Sequence, residues 1–210
     1  MTALLDSDDA ERLRGCVAGG GVAVFPTDTV YGVCCDPSDN AAAQRLYELK
    51  GRPPARPAAV MFFALGPALC ALGDLRDAER RALQALLPGS VTLLIANRSG
   101  DFAAACRTDP RTLGLRVPRL PKSLHALAQI AEPVMQTSAN RSGEPDARTL
   151  ADVPLSLREG ADLVLDGGAL HGTASTVIDL REYEASGEWH VLREGALAVA
   201  TVRELLDRAR

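Results

Sequence analysis

The sequence predicts one α/β domain built on a mixed, twisted sheet. Short apolar runs of strand length alternate with helical patterns along the whole chain, as is typical of α/β proteins. The chain has 210 residues, of which 47% are hydrophobic and 24% charged, and this is enough to bury a sizeable core. Because no internal repeat or Pro/Ser-rich linker divides the sequence, we assign residues 1–210 to a single domain.

The first predicted elements follow one another closely. An acidic start, helical apolar spacing and a three-glycine stop predict a helix over 7–18. An apolar run predicts a buried strand over 22–25. Asn40 is the expected N-cap of a helix over 41–49, and the apolar stretch 58–63 is the next predicted strand.

The rest of the chain continues this alternation. Asp74 is expected to open a helix that stops at Pro88, and a second helix is expected from about Pro121. The last helix is predicted from Val202, and residues 140–146 form a loop rich in Ser, Gly and Pro. The remaining strands are predicted at 90–95, 112–117, 134–137, 161–165, 175–179 and 190–192.

Composition excludes several classes of protein. The formal net charge is −4, so a polybasic, histone-like grip on nucleic acid is excluded and any such contact needs a local patch. The five cysteines form no CxxC pair, which argues against a disulfide scaffold or zinc ribbon. With no signal-peptide pattern and no run of 18 apolar residues, we expect a cytoplasmic protein without membrane contact.

Polar residues follow the first predicted strand directly, in the run PTDTVYG from Pro26 to Gly32. Two hydroxyls and a carboxylate thus stand where strand ends of α/β proteins usually line a crevice. Thr and Asp also build ordinary hydrogen-bonded turns, so a structural and a binding role both stay open.

A cationic cluster, KGRPPARP, follows the second predicted helix and contains Lys50, Arg52 and Arg56. No acidic residue occurs between Gly51 and Gly73 to neutralise it. Lys50 is one of only two lysines among 23 cationic residues, so this position uses a compact ammonium where the chain otherwise uses arginine. The cluster suits a polyphosphate. The alternative is a set of solvated cations favoured by the helix macrodipole.

Arg116 lies within an apolar strand pattern, where an unpaired guanidinium would be costly. It therefore needs a partner, either a structural carboxylate or the carboxylate of a ligand. Hydroxyl, amide and glycine residues recur at other strand ends, in TSAN at 137–140 and LDGG at 165–168. Their recurrence predicts a ligand site at these strand ends.

Motifs of other enzyme classes are missing from the sequence. It contains no GxSxG, Walker A or GxGxxG pattern, and the three histidines are scattered without metal-binding spacing. We therefore expect no metal held by protein side chains.

Seven motifs, taken in order, carry a resemblance to a known family: PTDTVYGV, LKGRPPARP, PGSVTLLI, LGLRVP, TSAN, LDGG and STVIDL. From about Val22 to Arg193 the chain resembles the YrdC-like threonylcarbamoyl-AMP synthases in their short, single-domain form. The resemblance implies an α/β domain with a twisted, mostly parallel mixed sheet, flanking helices and a concave positive cavity. It also implies an ATP-dependent nucleotidyltransferase that joins L-threonine, bicarbonate and ATP into threonylcarbamoyl-adenylate and pyrophosphate, for the t6A modification of tRNA adenosine 37.

The same resemblance implies residue roles. Lys50 and Arg52 would be catalytic, stabilising phosphate charge together with a Mg²⁺ ion that accompanies the nucleotide. Threonine would be bound by Thr29, Arg116, Ser175 and Met61, with Arg116 taking its carboxylate. The nucleotide would be held by Lys50, Arg52, Arg56, Thr112, Ser138, Asn140, Asp146 and Arg193. The implied partners are a downstream threonylcarbamoyl transferase complex and, through direct contact, tRNA.

Two departures and two alternatives accompany this interpretation. Met61 stands where many members have a histidine near threonine, and Gln136 stands where a smaller residue is common. One alternative is a YciO-like, RNA-binding paralogue without adenylate synthesis, favoured by the cationic residues at 50–56 and between Arg111 and Lys122. The other is a carbamoyl-transfer component resembling domains of hydrogenase maturation factors.

Overall fold

The framework of the fold is one sheet, seen in a computed structural model that describes residues 4–53 and 56–210. Nine strands form it within these residues: β1 (Ala23–Pro26), β2 (Tyr31–Cys35), β3 (Ala59–Met61), β4 (Val91–Ala96), β5 (Thr112–Arg116), β6 (Val134–Ser138), β7 (Leu163–Val164), β8 (Thr176–Asp179) and β9 (His190–Arg193). Their order across the sheet is β7-β1-β2-β6-β3-β5-β4-β8-β9. The predicted α/β class with a mixed sheet is confirmed.

The expectation of a mostly parallel sheet is wrong. Among the described residues five strand pairings are antiparallel and three are parallel. The main cause is β2, which the sequence analysis did not predict as a strand. A short turn joins β2 to β1 as a hairpin, and β2 then pairs antiparallel with β6. β6 therefore lies between β2 and β3 and is antiparallel to both.

The helices flank this sheet. They are α1 (Ser7–Ala18), α2 (Asn40–Lys50), α3 (Leu65–Ala71), α4 (Asp77–Leu86), α5 (Ala103–Cys106), α6 (Leu155–Gly160), α7 (Tyr183–Ser186) and α8 (Val199–Ala209), with 3-10 helices over Lys122–Gln129 and Leu150–Asp152. α1 matches its predicted bounds, whereas α2 is capped by the Asp39 side chain rather than by Asn40. The helix expected from Asp74 begins at Asp77, and the element expected near Pro121 is a 3-10 helix.

Strand patterning separates the two faces of the sheet. On β4 Val91, Leu93 and Ile95 are buried, whereas Thr92 and Leu94 are half-buried. β1 and β2 are buried at every position, because their hairpin lies inside the sheet. The half-buried face of β4 and its neighbours is the one that carries the cavity described below. None of the helices within the described ranges is long and apolar enough to cross a bilayer.

Candidate active site

A polar cavity of about 170 Å³ lies over the face of the sheet. Its walls come from β3, β4, β5, β6 and β8, together with the Arg52 turn after α2 and the end of β9. The charged residues in the wall are Arg52, Arg116, Arg193 and Asp146. Three guanidinium groups against one carboxylate give the concavity a net positive charge, in line with the positive cavity that the resemblance implied.

Lys50 lies directly behind this cavity at the C-terminus of α2. Its side chain is 2% exposed, and Nζ donates to Ser138 O and, at 3.4 Å, to Asn140 Oδ1. Asn140 Oδ1 also accepts a hydrogen bond from Ser138 Oγ at 2.5 Å. Lys50 is therefore fixed to the end of β6 on one side and to the helix end on the other.

Burial, and next the neighbouring charge of Arg52, lower the pKa of Lys50 to about 7 against the opposing effect of Asp146. These interactions do not fully replace the water that an ammonium group loses on burial. An anion in the adjacent cavity would supply the missing stabilisation, because a negative charge nearby favours the protonated form. The low pKa thus fits a residue whose natural partner is a ligand.

Arg52 is held by two neighbouring residues. Nη1 donates to Thr137 Oγ1 at 3.0 Å and Nη2 donates to Pro57 O at 2.7 Å. Its Nε is buried and has no hydrogen-bond partner among the described residues. Burial also lowers the pKa of Arg52. A partly buried cation without a counter-charge is unfavourable, so Arg52, like Lys50, is suited to an anionic ligand.

Arg116 has the structural carboxylate that its burial required. Nη2 lies 2.5 Å from Asp28 Oδ1 and 2.5 Å from Thr29 Oγ1, and both residues belong to the turn between β1 and β2. Asp28 Oδ2 in turn accepts from Ser90 Oγ at 2.9 Å. The Nε of Arg116 is buried and unpartnered within the described part of the chain. The guanidinium is therefore anchored through Nη2, and the residue lines the cavity.

Ser175 and Arg193 form the opposite wall. Arg193 Nη2 donates to Ser175 O at 2.8 Å and lies 3.3 Å from Ser175 Oγ. Ser175 Oγ is also 2.8 Å from Thr92 Oγ1. Ser175 is buried, so these contacts fix its hydroxyl at the cavity surface.

The structure brings most of the predicted site residues together. Arg52, Arg116, Ser138, Asp146, Ser175 and Arg193 line the cavity. Lys50, Asn140 and Thr29 bond directly to lining residues.

Three predicted residues lie elsewhere. Thr112 is at the other end of β5 from Arg116, with its hydroxyl 3.3 Å from Arg181 Nη1. Met61 is fully buried in the hydrophobic core, and Arg56 is exposed outside the cavity wall. Because strand and loop geometry keep these three away from the cavity surface, their binding roles remain predictions.

Four polar residues of the site had no binding role assigned to them from the sequence. Thr92, Gln136 and Thr137 line the cavity, and Asp28 anchors Arg116. The alternation of β4 contained the signal for Thr92, since a lone hydroxyl stands there among apolar residues. Asp28 stood in a motif already identified, but the sequence does not reveal that its turn contacts β5.

Other candidate sites are weaker. A cavity of about 230 Å³ beside α1 is mainly apolar, with Leu13, Val17 and Ile130 in its wall, and contains none of the predicted site residues. In the described ranges no group of three or more His, Cys, Asp or Glu residues could hold a metal ion. The protein side chains seen here therefore do not form a metal cage of their own.

Fold and site together define an α/β protein with a cationic cavity whose charge suits an anionic ligand. A family model described as "Telomere recombination" (Sua5/YciO/YrdC) matches residues 16–195, and the chain belongs to this family. It is 34% identical over 182 residues to the threonylcarbamoyl-AMP synthase of Chromohalobacter salexigens, covering 84% of this chain and 97% of the relative.

Solved structures of the family share the fold. The structure of E. coli YciO matches with a TM-score of 0.80 at 25% identity, covering 96% of both chains. P. abyssi Sua5 in complex with L-threonine matches with a TM-score of 0.80 at 24% identity, over 96% of this chain and 58% of Sua5. The chain thus spans little more than half the length of that Sua5 chain.

Proposed function

We propose that this chain is a threonylcarbamoyl-AMP synthase, which joins L-threonine, bicarbonate and ATP into threonylcarbamoyl-adenylate and releases pyrophosphate. The observation that carries the proposal is the convergence of Arg52, Arg116 and Arg193 on one cavity, with Lys50 bonded to Ser138 in its wall. Synthases of this name among the relatives, such as the one from C. salexigens, supply the reaction. The threonine complex of P. abyssi Sua5, which shares the fold, supports L-threonine as the amino acid.

The chemistry needs positioning rather than a protein nucleophile. The threonine amine and bicarbonate condense to a carbamate with loss of water. A carbamate oxygen then attacks the α-phosphorus of ATP, the bond from that phosphorus to the oxygen bridging the α- and β-phosphates breaks, and pyrophosphate leaves. Arg116, anchored by Asp28, holds the amino-acid carboxylate, while Lys50 and Arg52 neutralise the charge that develops on the phosphates. Ser138 and Asn140 fix Lys50 and contact the nucleotide.

The proposal includes the accompanying ion and the cellular partners. A Mg²⁺ ion accompanying the nucleotide would add charge neutralisation at the phosphates, beside that of Lys50 and Arg52. The product passes to a threonylcarbamoyl transferase complex that modifies adenosine 37 of tRNA. A direct tRNA contact and a cytoplasmic location belong to the same proposal.

A coupled assay tests the proposed function. Pyrophosphate release by the wild type should require threonine and bicarbonate together, and the adenylate should appear at its expected mass. Arg116→Lys keeps the charge but loses the planar fork, so we expect kcat/KM for threonine to fall about 10- to 100-fold. Pyrophosphate release at the same rate without threonine or without bicarbonate would refute the proposal.

A second candidate function rests on the match to E. coli YciO over 96% of both chains. In this alternative the cavity binds RNA and makes no adenylate. It predicts RNA retention that weakens steeply with salt, without turnover. The two functions separate in one experiment, since only the synthase consumes ATP in the presence of threonine and bicarbonate.

A further inference from the structure

Tyr47 contacts the turn that carries Lys50 and Arg52 in three ways. Its backbone oxygen accepts from Arg52 N at 3.0 Å, and its hydroxyl donates to Arg56 O at 2.5 Å. The Arg52 guanidinium lies 5.8 Å from the centroid of its ring. Tyr47 is 3% exposed, so the ring is a fixed support rather than a mobile surface group.

A second arginine, Arg107, lies on the same ring. Its guanidinium is 4.2 Å from the ring centroid, closer than that of Arg52. Arg107 has φ 57° and ψ −115°, a backbone conformation that residues other than glycine rarely adopt. Its Nε is buried and, within the described ranges, has no hydrogen-bond partner.

Each feature of this arrangement is unfavourable by itself. A positive φ strains a residue with a Cβ, two guanidinium groups near one ring repel each other, and a buried donor lacks an acceptor. Strain of this kind persists only where the surrounding structure enforces it, and it clusters at functional sites. What the arrangement achieves is a cation stacked on the residue that supports Arg52.

Arg52 is also the point where two cavities meet. It lines the polar cavity over the sheet and an outer cavity of about 380 Å³ whose wall includes Tyr47 and Arg107. Arg52 thus connects Tyr47 to the wall of the polar cavity. Neither Tyr47 nor Arg107 lines the polar cavity itself.

We propose that Arg107 and Tyr47 are positioning residues that hold Arg52, through the stacked ring, in the orientation required for binding the phosphates of ATP. This inference rests on the proposed function. It assigns the two residues a role in ATP binding and none in threonine binding. The affinity for threonine, which is held at Arg116, should not depend on the stacking of Arg107 on Tyr47.

Arg107→Gly is the most informative variant, because glycine accepts the backbone conformation and removes the guanidinium. We expect the Kd for ATP, measured by calorimetry, to rise about 3- to 10-fold, the scale of a partly desolvated cation–π contact. The Kd for L-threonine measured alone should stay within about 2-fold, and the melting temperature should not fall, because the strain at residue 107 is relieved. A purely structural arginine would instead lower the melting temperature and weaken both ligands.

Two further variants separate stacking from charge. Arg107→Lys keeps the charge without the planar stack, so it should weaken ATP binding nearly as much as Arg107→Gly. Full ATP affinity in Arg107→Lys would overturn the proposal in favour of a direct charge effect. Tyr47→Phe removes only the hydroxyl bond to Arg56 O and should weaken ATP binding about 2- to 10-fold. Arg208→Ala, which removes an exposed arginine at the end of α8, is the control for net charge.

Limited trypsin digestion without ATP tests whether Arg107 and Tyr47 hold the segment around Lys50 and Arg52 in place. Lys50–Gly51 is the cleavable bond in this segment, because Arg52 and Arg56 both precede proline. Cleavage after Lys50 should be faster by about 3-fold or more in Arg107→Gly and Tyr47→Phe than in the wild type, and unchanged in Arg208→Ala. Unchanged cleavage together with unchanged ATP affinity would refute the positioning role. A wild type that binds no ATP would instead refute the proposed function, while the digestion still decides the role of the stack.

Discussion

At the scale of one residue, the burial of Lys50 explains why it should bind a phosphate. The sequence analysis left a phosphate-binding cation and a solvated helix-end cation open for it, and the structure buries it against the end of β6. Burial and the nearby Arg52 charge lower its pKa to about 7, so Lys50 loses its charge more readily than an exposed lysine when no ligand is bound. A bound phosphate raises that pKa again, because it favours the charged form.

This gives ATP binding a pH dependence of known sign. When the pH is below the Lys50 pKa of about 7, Lys50 is already protonated and its contribution to ATP binding is constant. When the pH is above this pKa, ATP binding must take up a proton, so the affinity for ATP falls with rising pH. We expect a decrease of up to about tenfold per pH unit between about pH 7 and 9. Lys50→Ala should abolish this component and lower turnover about 10²- to 10³-fold.

Calorimetric titration of wild type and Lys50→Ala across this range checks the prediction. The ratio of their affinities cancels the titration of ATP itself, so only the contribution of Lys50 remains. Identical pH profiles for the two proteins would contradict the assignment of Lys50 to the phosphates.

For Arg116 the sequence predicted that an ion-pair partner exists but not which residue it is. Its apolar neighbours indicated that it must have a partner, and the sequence left a structural and a ligand carboxylate open. The structural partner, Asp28, is 88 positions away in the chain, and no local pattern encodes that distance. Only the tertiary structure therefore identifies Asp28 as the partner.

At the scale of elements the β1–β2 hairpin explains the main error of the sequence analysis. β2 reads Tyr-Gly-Val-Cys-Cys, with a glycine and no polar alternation, and it is buried at every position. A short apolar run without alternation resembles the continuation of a loop motif as much as a strand. The motif was still identified correctly as part of the site, because its turn carries Asp28 and Thr29 to Arg116.

The start of α4 is expected to be a stability determinant. Glu79 is 1% exposed, and its carboxylate accepts from Arg98 Nη1 at 2.8 Å and from Nη2 at 2.7 Å. Its Oε2 also accepts from the backbone N–H of Arg76 at 3.2 Å. Glu79→Ala should lower the free energy of unfolding by about 2 to 3 kcal/mol, because it leaves a partly buried guanidinium and a helix N–H without acceptors.

Urea denaturation measures this loss. Glu204→Ala, which removes the exposed carboxylate 4.0 Å from Arg208, is the matched control and should change stability by less than about 0.5 kcal/mol. Equal effects of the two substitutions would contradict the importance of the buried pair.

At the scale of the whole molecule, ligand binding should stabilise the fold cooperatively. The cavity walls come from five strands of one sheet, so unfolding must release the ligand. ATP at 100 times its Kd should add about 2.7 kcal/mol to the free energy of unfolding, or about 5 to 10 °C in melting temperature. Thermal denaturation with and without ATP checks this, and Lys50→Ala should show a smaller shift at the same ATP concentration.

The architecture as a whole was only partly predictable. Alternating strands and helices gave the α/β class, since that periodicity is local. Strand direction is not local: β6 inserts between β2 and β3 because of contacts across about half the chain, and this makes the sheet mainly antiparallel among the described strands. The ordered motifs located most of the site, whereas the placement of Thr112 and Met61 depended on where β5 and β3 lie relative to the cavity.

The strand order also determines when the molecule can form during its synthesis. β1 has β7 as its outer neighbour, and Val22 beside it bonds to Asp162, 140 residues later in the chain. A ribosome adds about 5 to 20 residues per second, so one edge of the first hairpin waits on the order of ten seconds for its partner. During that interval a fully apolar strand edge is open to wrong pairing with other nascent chains. Translation speed, rather than the stability of the finished domain, sets the length of this vulnerable period.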